Sequence, residues 1–246
     1  MQAPWGSVLV CSPLAEIAAH FFTDASLELR DREEEWAAVA SHAGVARERL
    51  LLLHQVHGRT IVTARAAAAA EWTRPEADAA ISDDPEAALV VRVADCAPIL
   101  IGDRRRGAVA AVHAGWRSTM QRIVIDAVES MQKELGSTPG DLVAAIGPSL
   151  GQCCGEMGEE VVEAFHAAGH SDAAIDRWFV RHPGRKPHFD LWQANRDQLR
   201  TAGVADEEIF TASLCTKTHA GRFHSYRAAG QRAGRMAAVI KPSRRT

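Results

Sequence analysis

The sequence predicts an α+β fold with mixed sheets, carried as one domain over residues 1–246. Three observations predict it. Short runs rich in Val, Ile, Leu and Ala recur along the chain, and several are continuously apolar, as strands covered on both faces are. These runs alternate irregularly with segments of helical period. No linker and no internal repeat divides the 246 residues, and a chain of that length can bury a substantial core.

The strands are expected, in order, at 7–11, 50–54, 60–63, 88–93, 98–101, 107–112, 142–146, 208–214 and 236–240. Helices are expected at 32–42, 118–135, 159–168 and 191–202. The second helix carries Ile123, Ala127, Met131 and Leu135 at steps of four, an apolar stripe along one face. Asp190 stands where an N-cap of the fourth belongs and Gly203 where its C-cap belongs. Ala66–Ala70 is of low complexity and carries no signal. Residues 171–188, rich in His, Pro, Gly and Arg, read as a long surface loop.

Composition narrows the function classes. Hydrophobic content of 47% with 24% charged residues fits a soluble globular chain. A formal charge of −3 gives no electrostatic reason to expect nucleic acid as a partner, and the basic end, Lys241 to Arg245, reads as a solvated tail. No apolar run approaches a membrane span, and Met1–Val10 lacks the pattern of a signal peptide. The five cysteines, scattered apart from Cys153–Cys154, show no paired framework, so the cytoplasm is the expected compartment. Oligomeric state is left open.

Chemistry concentrates in two motifs. Val93-Ala94-Asp95-Cys96-Ala97-Pro98 and Val112-His113-Ala114-Gly115-Trp116-Arg117 each follow or end an apolar run. They put a thiol and an imidazole where strands give way to loops, a common position for active-site groups. His57, in Leu53-His54-Gln55-Val56-His57-Gly58, can complete the set. Two imidazoles and one thiol make either a metal site or a Cys–His catalytic pair. Cys96 is the expected reactive or ligating thiol, with Cys11 and Cys215 structural and Cys153 and Cys154 in a Gly-rich loop. Asp95 can orient a histidine, act as a base, or simply form the turn. Gly147-Pro148-Ser149-Leu150-Gly151 matches the Gly-x-Ser-x-Gly nucleophile elbow, but the glycine-rich stretch that follows does not read as the required helix.

At these residues the chain resembles the laccase-like, or multicopper polyphenol oxidase, family, also regarded as a family of purine nucleoside phosphorylases. The matching stretches are Gln55-Val56-His57, Asp78-Ala79, Ala94-Asp95-Cys96-Ala97-Pro98, His113-Ala114-Gly115-Trp116-Arg117, Gly147-Pro148-Ser149, Ser225-Tyr226-Arg227 and Gly234-Arg235. The resemblance implies a layered sandwich of central sheets flanked by helices. It also implies that His57, Cys96 and His113 are both metal ligands and catalytic residues. His57 is selected over His54. Zinc is the implied ion, and copper is a second candidate because it outcompetes zinc at most N/S sites. The implied activity is phosphorolysis of purine nucleosides, including methylthioadenosine, together with deamination of adenosine. The partners are then a purine nucleoside and phosphate, with Gln55, Asp78, Arg117 and Arg227 as candidate contacts and Trp116 available to stack on a base.

Two segments depart from the family pattern. Phe22-Thr23-Asp24-Ala25-Ser26 stands where Thr-Arg-Gly-Gly-x-Ser is usual, and Cys154-Gly155-Glu156-Met157-Gly158 lacks the usual tyrosine. The metal triad is intact while the substrate shell is altered. A copper-dependent phenol oxidase, a metal-free Cys96–His113 hydrolase or amidase, and a non-catalytic metal-binding or cell-envelope accessory protein are the rival readings. Multicopper oxidation needs paired His-x-His ligands, and none of the 11 histidines is so placed.

Overall fold

A computed structural model describes residues 1–65 and 72–243. The alanine run 66–70 and the last two arginines of the basic end lie outside the described residues. The chain begins with a hairpin, β1 (Gln2–Ala3) and β2 (Gly6–Ser7), a short helix α1 (Ser12–Ala15), strand β3 (Ala19–Phe22) and helix α2 (Glu33–Ala43). Strands β4 (Leu50–Leu52), β5 (Ile61–Ala64), β6 (Ala79–Ser82), β7 (Ala88–Val93), β8 (Ala97–Asp103) and β9 (Val109–Ala114) follow. Helices α3 (Trp116–Met120) and α4 (Ile123–Leu135) lead to β10 (Leu142–Ile146), then α5 (Glu159–Ala167) and α6 (Asp172–Trp178). The chain continues through β11 (Phe179–Val180), β12 (His188–Phe189), α7 (Leu191–Thr201), β13 (Ile209–Thr211), α8 (Tyr226–Ala229) and β14 (Met236–Lys241).

Two sheets stack as a sandwich. One has six strands in the order β13-β10-β8-β9-β6-β5, the other four in the order β3-β14-β7-β4, and both mix parallel and antiparallel pairs. Side-chain alternation assigns their faces. Leu100, Val109, Ala111 and Val143 of the larger sheet pack on Leu51, Leu89, Val91 and Ala238 of the smaller. Ile99, Ile101, Ala110 and Val112 point the other way, onto Ile123, Val124, Ala127 and Met131 of α4 and Phe165 of α5. The smaller sheet turns Leu50, Leu52, Val90 and Val239 toward Trp36, Val39 and Ala40 of α2. The layers are therefore helix, sheet, sheet, helices, which is why β8, with both faces covered, is buried at every position. No helix among the described residues is long and apolar enough to cross a membrane.

Several expectations need correcting. The strand expected at 7–11 is split: only Leu9 pairs onward, with Phe22, before Cys11 caps α1. The helix expected at 118–135 breaks at Arg122, which takes φ 65° and holds the backbone carbonyls of Ala168 and Gly169 through its guanidinium. Residues 171–188 are not simply a loop. Ser171 Oγ accepts from Ala174 N to start α6, and Ile175, Trp178 and Phe179 are buried in the core. Strands β3 and β6 were not anticipated; each is four residues long, too short to show a period. The α7 N-cap is as expected, with Asp190 Oδ1 accepting from Gln193 N at 2.9 Å, and Gly203 at φ 93° follows the helix end.

Candidate metal centre and its cavity

The floor of the site is built from strand ends. β7 stops at Val93, a tight turn presents Cys96, and β8 leaves antiparallel to β9, pairing Pro98 with His113. His57 arrives on the turn after β4, which does not continue as a strand: His57 takes φ 59°. The ligand atoms of His57, Cys96 and His113 all lie within 4.8 Å of one another, and the two imidazoles meet edge to face at 4.8 Å between centroids. His57 is exposed, Cys96 half-buried and His113 buried, so the cluster is closed behind and open in front.

One carboxylate holds this arrangement. Asp78, fully buried, accepts from His113 Nδ1 at 2.7 Å and from the backbone N–H of His57 at 2.9 Å on the same oxygen. Its second oxygen accepts from the N–H of Gly58 at 2.7 Å and of Val56 at 3.2 Å. The His113 ring is thereby oriented with Nε2 as its free ligand atom, the usual arrangement behind a metal-bound histidine. Asp78 is thus placed behind the ligands rather than on the cavity wall, and His54, exposed on the far side of its bridge to Glu76, takes no part. Gly115 completes the floor: a Cβ there would stand 2.9 Å from Cys96 Sγ and 3.3 Å from the His57 ring.

Burial pushes the Cys96 thiol up, but the His113 charge and hydrogen bonds from both histidines outweigh it and bring the thiol down to about 6. Burial likewise pushes His113 down, and the Cys96 charge with the Asp78 bond carries it up to about 9. Without an ion the cluster is a thiolate–imidazolium pair. The same donors, two imidazole nitrogens and one sulfur with an open front, match a zinc site that keeps a position free for water or substrate.

Asp95 plays a different part. It takes φ 87°, and its side chain accepts from Thr216 Oγ1 at 2.6 Å and from Arg227 N at 2.5 Å, while its carbonyl accepts from Leu150 N. It orients no histidine; it ties three loops to the turn that carries Cys96. Ser149 of the elbow-like motif is buried, bonded to Gly147 O and to Trp192 Nε1, and no helix follows it directly.

In front of the cluster lies a cavity of about 750 Å³. Its apolar lining comes from Trp116, Leu150, Met157, Phe189 and Leu191, and four arginines, Arg30, Arg92, Arg227 and Arg235, supply positive charge. Gln55 lines it too, with its amide paired to both backbone groups of Arg92, which pins the His57 turn to β7. Arg227 reaches the carbonyl of Glu156 at 2.9 Å. Arg117 is exposed, lies over the Trp116 ring at 4.2 Å and does not line the cavity. Arg30, Arg92 and Arg235 were missed in the sequence. A signal existed for Arg92, the one charge in the otherwise apolar strand 88–93. The Arg92 side chain has no hydrogen-bond or ion-pair partner among the described residues. Burial, then the charges of Arg74 and Arg235, hold its guanidinium below its ordinary range, with Asp31 opposing.

The model of the multi-copper polyphenol oxidoreductase laccase family matches residues 24–243. The chain belongs to that family. It is 41% identical over 163 residues to a purine nucleoside phosphorylase of Bacteroides thetaiotaomicron, covering 66% of this chain and 60% of that protein. It is 42% identical over 146 residues to adenosine deaminase RL5 of an unknown prokaryotic organism, covering 59% of this chain and 54% of that protein. The chain thus spans less than two thirds of the length of either relative. The crystal structure of YlmD from Geobacillus stearothermophilus superposes with a TM-score of 0.84 at 25% identity, over 99% of this chain and 98% of that one. The α+β layered architecture is that of the family's solved members.

Proposed function

We propose that the chain is a zinc-dependent purine nucleoside phosphorylase that also phosphorolyses methylthioadenosine and deaminates adenosine. One observation carries this reading: a two-histidine, one-cysteine cluster opens into a cavity whose walls are apolar on one part and arginine-lined on another. His57, Cys96 and His113 would hold the ion. When bound, zinc lowers the pKa of a coordinated water to about 7, which supplies hydroxide for deamination at neutral pH.

The chain's own residues account for the rest. Asp78 keeps His113 in one tautomer and sets the His57 backbone. Trp116, Phe189 and Met157 offer the flat apolar surfaces a purine requires. Phosphorolysis joins a phosphate oxygen to the ribose carbon as the carbon–nitrogen bond breaks, so the anion must be held against that carbon. Arg92 and Arg235 are suited to hold it, because Arg92, already held low by burial and by the charges of Arg74 and Arg235, is relieved by an anion placed between the two guanidiniums. The segment Phe22-Thr23-Asp24-Ala25-Ser26 does not line the cavity, and Arg30 supplies a cation in its neighbourhood of the sequence.

Elemental analysis of protein purified without added metal, paired with a nucleoside panel with and without phosphate, tests the proposal. Zinc near one equivalent or more and phosphate-dependent release of free purine are expected. Copper- and oxygen-dependent oxidation of phenols, with nucleosides untouched, would overturn it. A second reading has geometric support, because Cys96, His113 and Asp78 form a thiol–imidazole–carboxylate series suited to a metal-free hydrolase or amidase. That reading reduces His57 to a helper that lowers the Cys96 thiol, although its position completes a ligand set. Activity that survives exhaustive chelation but not Cys96→Ala would favour it.

A further inference from the structure

A second group of thiols lies outside the triad. Cys153 and Cys154 sit in a single 3₁₀ turn (Gln152–Cys154) opened by Gly151, and Cys215 sits on the segment after β13. The two segments are zipped together: Ser149 N donates to Leu214 O, and Thr216 N to Ser149 O. This brings the sulfur atoms of Cys153, Cys154 and Cys215 within 4.8 Å of one another. Cys153 is exposed, Cys154 half-buried and Cys215 buried, so the group is anchored at one end and accessible at the other.

From this convergence we infer a second metal site, in which Cys153, Cys154 and Cys215 bind a thiophilic d¹⁰ cation, Zn²⁺ or Cu⁺. The spacing fits one ion. Metal–sulfur bonds near 2.3 Å in a tetrahedral array separate the sulfurs by about 3.8 Å. The Cys153 and Cys154 sulfurs are 3.8 Å apart, and the third needs a movement of about 1 Å or less to close. The donor set selects the ion: three sulfurs with no carboxylate or imidazole among them favour soft cations over Mg²⁺, Ca²⁺ or Mn²⁺. The backbone N–H groups of Gly151 and Thr218 are directed at the Cys215 sulfur, the second-layer bonding that orients a thiolate ligand. Cysteines that serve only as apolar filling are buried, and here one of the three is at the surface.

The placement gives such an ion a purpose. Leu150, Gly155 and Met157, on the loop that carries two of the thiols, line the cavity, and Thr216, next to Cys215, bonds Asp95 beside Cys96. An ion here would staple two loops of the cavity wall without touching the triad. Binding replaces thiol protons with metal–sulfur bonds and changes no oxidation state.

The test uses the full chain, reduced, stripped by chelation and titrated with Zn²⁺, and separately with Cu⁺ under anaerobic conditions, against a chromophoric competitor. The Cys96→Ala variant removes the triad's sulfur, so this inference stands or falls apart from the nucleoside reading. Expected stoichiometries are two ions in the wild type, one in Cys96→Ala, one in Cys153→Ser/Cys154→Ser and none in the triple variant. The thermal midpoint of Cys96→Ala should rise with metal, because an ion that binds only the folded chain stabilises it. Cys153 is exposed, so Cys153→Ser alone provides a variant whose folding is not at issue, and it should weaken the second equivalent at least tenfold. Absence of uptake of either ion by Cys96→Ala would overturn the site. So would two retained equivalents in the Cys153/Cys154 variant, or a disulfide between Cys215 and either neighbour in place of metal.

Discussion

The cavity has two walls built on opposite principles. Its floor, with His57, Cys96 and His113, stands on strand ends and is fixed by one buried carboxylate, Asp78, that reaches three backbone N–H groups and an imidazole. Its other wall, the loops 150–157 and 215–235 with Arg30 and Arg92 beside them, hangs on Asp95, a partly exposed residue whose carboxylate holds Thr216 and Arg227 and whose backbone carbonyl holds Leu150. Both aspartates are hubs. The floor's hub is buried in low dielectric, where each bond is strong and each loss costly; the wall's hub keeps contact with water, which can replace what is lost. On the proposed function, the floor is the rigid, reacting part and the wall the adjustable, recognising part.

The sharpest way to break that contrast is Asp78→Ala. It leaves three N–H groups and the His113 Nδ1 without their acceptor in a buried place. Loss of about 3–5 kcal/mol of stability is expected, as for other broken buried charge pairs. The gentler Asp78→Asn should fold and bind zinc about 10–100-fold more weakly, the usual cost of losing a metal-supporting hydrogen bond. Competition titration and urea unfolding read the two effects, and zinc affinity in Asp78→Asn within twofold of wild type would deny Asp78 its part. Gly115→Ala comes next. The added methyl would meet Cys96 Sγ at 2.9 Å, so the ligands must move apart, and turnover should fall about 10–100-fold with little change in the unfolding midpoint. Unchanged turnover would show that the floor is softer than its packing implies.

The same contrast decides what could be read from the sequence. The floor was legible because Ala-Asp-Cys-Ala-Pro and His-Ala-Gly-Trp-Arg are local strings at strand ends that single out Cys96 and His113, while His57 was preferred to His54 only through the family resemblance. The role of Asp78 was not, since nothing local distinguishes a carboxylate that faces substrate from one that turns behind the ligands. The wall was nearly invisible. Arg30, Arg92 and Arg235 come from three distant segments that only the pairing of β14 with β7 and the return of the chain past residue 230 bring together. Elements followed the same rule: β7 and β10, each a long apolar run, were placed with their observed ends, whereas β3 and β6 take their form from neighbours already in the sheet. Arg122, whose side chain ties α4 to the end of α5, broke a helix that period alone would have continued.

A wall that recognises should alter selectivity rather than chemistry. Arg92→Ala removes a guanidinium that makes no hydrogen bond or close ion pair among the described residues, and a charge-assisted bond is worth about 1.5–3 kcal/mol. The KM for phosphate should rise about 10–100-fold, and phosphorolysis should fall relative to phosphate-independent deamination in the same sample. Equal loss of both activities would place Arg92 with the floor instead.

The smallest effect concerns the scaffold beneath both walls, and it is a pH effect with a definite sign. His20, on β3 beside β14, is buried; its Nε2 accepts from Cys11 N at 2.9 Å, so Nδ1 carries the proton and donates to Ala18 O at 3.1 Å. Both nitrogens are used only if the ring is neutral. Burial pushes its pKa below the ordinary value, with the Ala18 carbonyl opposing. The unfolded chain therefore takes up a proton at His20 below about pH 6.5 that the folded chain refuses, and stability drains as the pH falls through that value toward the folded pKa. The carboxylates held low, such as Asp78, act only below about pH 4 and leave this window clear. His42 and His170, also held low, shift stability the same way, and His113, held high, shifts it the other way. The quantity to measure is accordingly a difference. His20→Gln should be less stable than wild type at pH 7, and the gap in urea midpoint should narrow steadily toward pH 5, since only the wild type has the His20 proton to exclude. A gap that stays constant across that range would show that the Cys11 bond, and not the charge state of the ring, is all that His20 contributes.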